Sequence, residues 1–125
     1  MTRQLLFLGL ASTVLVGGLV ARAEGGSPPA TSYKKDVAPI FKQYCITCHN
    51  KTSAAEDLDL SSYEAIMKGG EHGKVVKAKK SAESKVVRAM KGQSGVDKMP
   101  PGDVRVPASK IAVVAKWIDE GAKKN

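Results

Sequence analysis

Apolar and polar positions divide the chain into three parts. Residues Leu5 to Val20 are almost wholly apolar apart from Ser12 and Thr13. Residues Gly25 to Ala30 (GGSPPA) have no apolar period and read as a linker. From Tyr33 onward, apolar residues recur at helical spacing. Tyr33, Val37, Ile40, Phe41 and Tyr44 stand at offsets 0, 4, 7, 8 and 11, one face of a helix. Proline is tolerated in a first helical turn, so with Pro39 inside the pattern the regular helix is expected to begin near Asp36 or Val37. It would deliver Cys45 from its last turn. Asn50 to Asp57 are polar and irregular. Ser61 as N-cap with Glu64 three residues on fits a capping box, opening a short helix that stops at Gly69-Gly70. A second short helix is expected from Ala82 to Lys91 behind Ser81, with Val86, Val87 and Met90 inward. Gly92 to Val106, which contains Pro100-Pro101-Gly102, reads as a loop. Ile111, Val114, Ala115 and Ile118 recur at offsets 0, 3, 4 and 7, and Gly121 is the stop signal. No period-two alternation long enough for a sheet occurs and no repeat is visible. The expected class is all-α.

The start of the chain changes the cellular picture. Arg3, the apolar run and the small-residue stretch Ala21-Arg22-Ala23 have the three-part form of a secretory signal, with cleavage expected before Glu24. The alternative, a retained anchor, is disfavoured because the run falls short of the roughly 20 residues a bilayer crossing needs and holds Gly9, Gly17 and Gly18. The expected organisation is a signal peptide at 1–23, a flexible leader at 24–32 and one domain at 33–125, exported to the periplasm without stable membrane insertion. Without Arg3 and Arg22 the basic count falls from 20 to 18 against 12 acids, a net +6. Such a surface favours acidic partners. Export, and a basic complement made mostly of lysine, argue against nucleic acid. Past the signal the aromatic residues are only Phe41, Trp117, Tyr33, Tyr44 and Tyr63. So small a domain with so little core material calls for a staple or a cofactor.

The chain holds two cysteines, both in Cys45-Ile46-Thr47-Cys48-His49. A disulfide within C-x-x-C closes a tiny loop and constrains little. A thioredoxin-like switch needs a βαβ context, which is missing. Zinc wants four ligands, and beyond this motif only His72 is left. Covalent haem accounts for all three residues: the cysteines each add to one vinyl group of a porphyrin and the histidine turns its imidazole onto the iron. One motif means one haem c.

His49 leaves the sixth position of the iron, for which Met67, Met90, Met99 and His72 are candidates. Met99 is preferred because Lys98-Met99-Pro100-Pro101-Gly102 presents its thioether from a backbone restricted by two prolines. Met67 and Met90 sit at helical spacing among apolar neighbours, which suits core packing. His72 lies in Gly69-Gly70-Glu71-His72-Gly73, where a solvated loop histidine is the simpler reading. Thioether ligation raises the potential and a second imidazole lowers it.

These motifs together resemble class I type cytochrome c domains, particularly the planctomycete-type small monohaem c-type cytochromes. The matching pieces are Val37-Ala38-Pro39-Ile40-Phe41, the CITCH motif, Leu58-Asp59-Leu60-Ser61-Ser62-Tyr63, Gly69-Gly70, Met99-Pro100-Pro101 and Trp117-Ile118-Asp119-Glu120-Gly121-Ala122. The resemblance implies a cytochrome c fold, with crossed N- and C-terminal helices and short helices around one haem. It implies Cys45 and Cys48 as thioether attachments, His49 as proximal ligand and Met99 as distal ligand. Lys74 to Lys80 (KVVKAKK) departs from it, since similar domains often carry a Gly/Pro-containing turn there. These lysines, with Lys85, Arg88 and Lys91, are a candidate docking patch for an acidic redox partner. Trp117 is a candidate donor to a haem propionate, with packing between helices as the favoured role.

The expected function is a one-electron carrier between a donor and an acceptor protein, and not an enzyme. No acid/base pair, nucleophile constellation or phosphate loop is visible. The alternatives are a small-ligand sensor, in which Met99 leaves the iron, and a haem subunit of a larger oxidoreductase complex.

Overall fold

The computed structural model describes residues 17–18 and 25–125. The expected signal peptide lies outside the described residues apart from Gly17 and Gly18. All regular elements among the described residues are helical: α1 (Ala38–Tyr44), α2 (Tyr63–Lys68), α3 (Lys85–Lys91) and α4 (Ala108–Asp119). A π-helical turn at Tyr33–Val37 leads into α1, and 3-10 turns occupy Ala55–Asp57 and Ser81–Glu83. No described helix is long and apolar enough to cross a membrane.

Helix formation starts earlier than Asp36. Ser32 caps the opening turn: its hydroxyl accepts the Lys35 N–H at 3.2 Å and the Asp36 carboxylate accepts the Ser32 N–H at 2.8 Å. The Val37 N–H reaches back five residues to the Ser32 carbonyl at 3.2 Å, which makes the turn a π-helix. Pro39 then sits at the start of α1, where it has no helical N–H to lose.

Two caps differ from expectation. The N-cap of α2 is Ser62, whose hydroxyl accepts the Ala65 N–H at 3.2 Å. Ser61 is held outside the helix because its own N–H goes to the Asp59 carboxylate at 2.8 Å, and Glu64 pairs with Lys124. The helix expected from Ala82 begins at Lys85. Ser84 interrupts it: the hydroxyl is buried, accepts the Lys77 N–H at 2.9 Å and donates to the Lys80 carbonyl at 2.9 Å. Ser81 is anchored instead on Asp119 of α4, through both its N–H and its hydroxyl. These bonds fix the Lys74–Lys80 segment, which buries Val76 and sends the Lys79 N–H to the Ile118 carbonyl at 2.7 Å.

The core joins Val37, Ile40 and Phe41 to Ile66, to Val86, Val87 and Met90 as expected, and to Ile111, Val114, Trp117 and Ile118. Ala115 is only partly buried; the wide inward stripe of α4 is completed by Trp117. Trp117 is 1% exposed, its ring centroid lies 5.6 Å from Tyr33 and 6.3 Å from Tyr63, and its indole N–H donates to the Lys123 carbonyl at 2.8 Å. Its polar atom is thereby committed to the chain itself, so packing is its role and the propionate reading fails. The opening turn is tied to the segment after α4 by Thr31 N–H to Glu120 (2.8 Å), Lys34 N–H to the Asn125 carbonyl (2.9 Å) and Tyr33 N–H to Asn125 Oδ1 (2.8 Å).

Candidate functional site

The end of α1 unwinds directly into the cysteine motif. Cys45 N–H still bonds the Phe41 carbonyl at 2.9 Å, and a turn follows in which His49 N–H bonds the Cys45 carbonyl at 3.0 Å. The turn brings both thiols and the imidazole to one cleft of about 580 Å³. Both thiols are free, Cys48 exposed and Cys45 partly buried. Burial pushes the Cys45 thiol up to about 11, so it is protonated at neutral pH. Cys45 is therefore not the attacking thiolate of a dithiol switch.

His49 is the buried member of the motif, 8% exposed. Its Nδ1 lies 3.1 Å from the Leu58 carbonyl, and its own carbonyl accepts the Leu60 N–H at 2.9 Å. A carbonyl only accepts, so Nδ1 carries the proton and Nε2 keeps its lone pair. No described side-chain nitrogen or oxygen is buried without a partner. Nε2, which bonds nothing in the protein, therefore opens onto the cleft. A ring fixed through one nitrogen with the other free is the usual state of a metal-binding histidine.

The cleft wall is largely apolar, with Tyr44, Leu58, Leu60, Val86 and Met90 among its residues. Met99 and both of its prolines line it from the 92–106 loop, and His72 lines it from the Gly69–Gly73 turn. Met99 is partly buried and His72 exposed. The Met99 N–H is anchored on the Ala89 carbonyl of α3 at 3.0 Å, so the loop is held against the wall. Of the four candidates for a distal ligand, Met67 alone is away from the cleft; it packs against the core. Met90 belongs both to the core and to the wall, so its helical spacing foretold only half of its position.

Residues 45–103 match the family model of planctomycete cytochrome C. The match supports a planctomycete-type cytochrome c domain over that stretch. The matched stretch runs from the first cysteine past the methionine-proline pair, and so spans both chain segments that converge on the cleft. The family implies haem c and a haem-based electron-transfer role, and the Cys45/Cys48 spacing fits covalent attachment. No curated protein and no solved structure matches the chain.

The residues present suit that group. The cleft supplies apolar walls for a flat macrocycle, two thiols three residues apart and one oriented imidazole with a free nitrogen. The role of the Leu58 carbonyl escaped the sequence reading, which also took Lys85, a cleft-lining residue, only as a member of the docking patch. A backbone carbonyl has no side-chain signature, and Lys85 was one lysine of a long basic run.

Proposed function

We propose that this protein is an exported monohaem cytochrome that carries one electron between protein partners. The observation that supports this most is His49: buried, proton fixed on Nδ1 by the Leu58 carbonyl, Nε2 free in a cleft lined by two thiols and a thioether. In this reading Cys45 and Cys48 hold the porphyrin through thioether bonds, His49 is the proximal ligand and Met99 the distal one. The fold is then that of cytochrome c, with the π-helical turn that leads into α1 packed on α4 through Tyr33 and Trp117. Haem iron bound by imidazole and thioether alternates between ferrous and ferric states and so stores a single electron. Were His49 and Met99 both to hold the iron, substrates would have no site on it, which favours transfer over catalysis.

The competing distal ligand is His72, which lines the same cleft. The oxidised protein, produced in a host that matures c-type cytochromes, is expected to show the weak near-infrared sulfur-to-iron charge-transfer band. Met99→Ala should abolish that band and admit carbon monoxide to the reduced protein, while His72→Ala should leave it intact. Loss of the band in the His72 variant alone, or its absence from the unaltered protein, would reject Met99. Rapid carbon monoxide binding by the unaltered reduced protein would favour the sensor reading.

The partners in this proposal present acidic surfaces. Lys77 and Lys80 each lie 3.3 Å from Glu83, which offsets part of the basic patch; among the described residues Lys74, Lys79, Lys85, Arg88 and Lys91 have no ion-pair partner. Surface charges of this kind act on encounter rate more than on affinity.

A further inference from the structure

The cleft is mostly apolar, yet the haem proposed for it carries two carboxylates. A carboxylate held against an apolar wall needs a hydrogen-bonded cation or stays costly. Three fully charged residues line the cleft: Glu56, Asp97 and Lys85. Two of these would repel a carboxylate, so the cation alone decides where one can sit. Lys85 opens α3, next to Val86 on the wall. Its ammonium donates to the His72 carbonyl at 2.7 Å, which holds the side chain across to the Gly69–Gly73 turn. Among the described residues no carboxylate pairs with it within 4.0 Å, although Glu83, two residues away, is taken by Lys77 and Lys80. An ammonium has three donors, and one is used.

We infer that Lys85 is the propionate anchor of this cytochrome, pairing with a haem carboxylate at the end of the cleft formed by Glu56, the Gly69–Gly73 turn and α3. The inference rests on the haem reading given above. The pairing would set which edge of the macrocycle faces α3, and the positive charge of Lys85 at that edge would disfavour the ferric state. Glu56, which lines the same end and accepts the Glu71 N–H through its backbone carbonyl at 2.9 Å, opposes that charge.

The test compares Lys85→Gln and Lys85→Arg with the unaltered holoprotein at pH 8, where carboxylates are ionised in all three. Two quantities are read: the propionate-bending band in the resonance Raman spectrum and the midpoint potential. Lys85→Gln is expected to shift the band and lower the potential, and Lys85→Arg to restore both. Glu56→Gln, which leaves the Lys85 contact to His72 in place, should raise the potential. If either quantity stands still in Lys85→Gln while the haem remains covalently attached, the pairing is wrong and the haem reading survives. If the unaltered protein takes up no covalent haem, the haem reading itself falls.

Discussion

Replacing Trp117 by phenylalanine separates what holds this fold together from what tunes its site. The indole ring is 1% exposed, and its N–H is the partner of the Lys123 carbonyl. Losing that bond costs about 1 kcal/mol, since the carbonyl lies near the surface and water replaces part of the interaction. The smaller ring leaves a gap beside the Tyr33 and Tyr63 rings, whose packing loss adds about 1–2 kcal/mol. For a domain of this size a total of about 2–3 kcal/mol lowers the melting temperature by roughly 10–20 °C. The assay is thermal unfolding of the holoprotein followed by far-ultraviolet circular dichroism, with the midpoint potential measured on the same sample. Stability should fall while the potential stays at its original value. A potential that moves while the melting temperature changes by less than about 4 °C, the equivalent of roughly 1 kcal/mol, would refute the packing role and restore a haem contact for Trp117.

Other outcomes follow from single contacts. Ser84→Ala removes a buried hydroxyl that serves both Lys77 and Lys80, and should cost about 1–3 kcal/mol in a denaturant titration; a change below 0.5 kcal/mol, the usual scatter of surface substitutions, would show the segment is held otherwise. At Gly69, with φ of +83°, an added Cβ would collide with the Gly73 carbonyl oxygen, so Gly69→Ala should lose at least about 2 kcal/mol and loosen the turn that carries His72, read as faster amide exchange at residues 70–73. Glu120 is held below the usual carboxylate range first by the Thr31 N–H and then by Lys116. Its folded value is depressed, so its contribution is present above the unfolded value near 4.3 and is lost as pH falls through the folded one. Glu120→Gln should therefore flatten the acid limb of the stability–pH curve, and an unchanged limb would show that Thr31 and Lys116 do not act on it. Charge reversal at Lys74 and Lys79 should slow reduction by an acidic partner at low salt and leave the rate at high salt unchanged; equal rates at low salt would remove the patch.

The parts of the fold that were legible in the chain are those where side chains alone decide. The apolar spacing of 37–41 and 111–118 placed two helices on the core because burial selects one face whatever the exact backbone. It did not reveal the π-helical turn, since one carbonyl skipped by Val37 leaves the side-chain period almost unchanged. Two adjacent serines, Ser61 and Ser62, are equal as caps by composition; the Asp59 carboxylate, by taking the Ser61 N–H, chooses between them. Ser84 looked like an ordinary position inside a helix, and its interruption depends on backbone groups of Lys77 and Lys80 that come near only in the folded chain. In the site, the CITCH motif and the methionine-proline pair were visible because they are side-chain chemistry at fixed spacing. The orientation of His49 was hidden because it comes from the carbonyl of Leu58.

That carbonyl belongs to a loop that grips His49 twice, at its ring and through Leu60 at its own backbone, while Cys45 holds its N–H. An imidazole fixed at these points has little room to tilt or translate. In a haem carrier, each electron gained or lost would then demand little rearrangement of the atoms around the metal. The pace of exchange would be set outside the cleft, by how often and how closely two proteins meet.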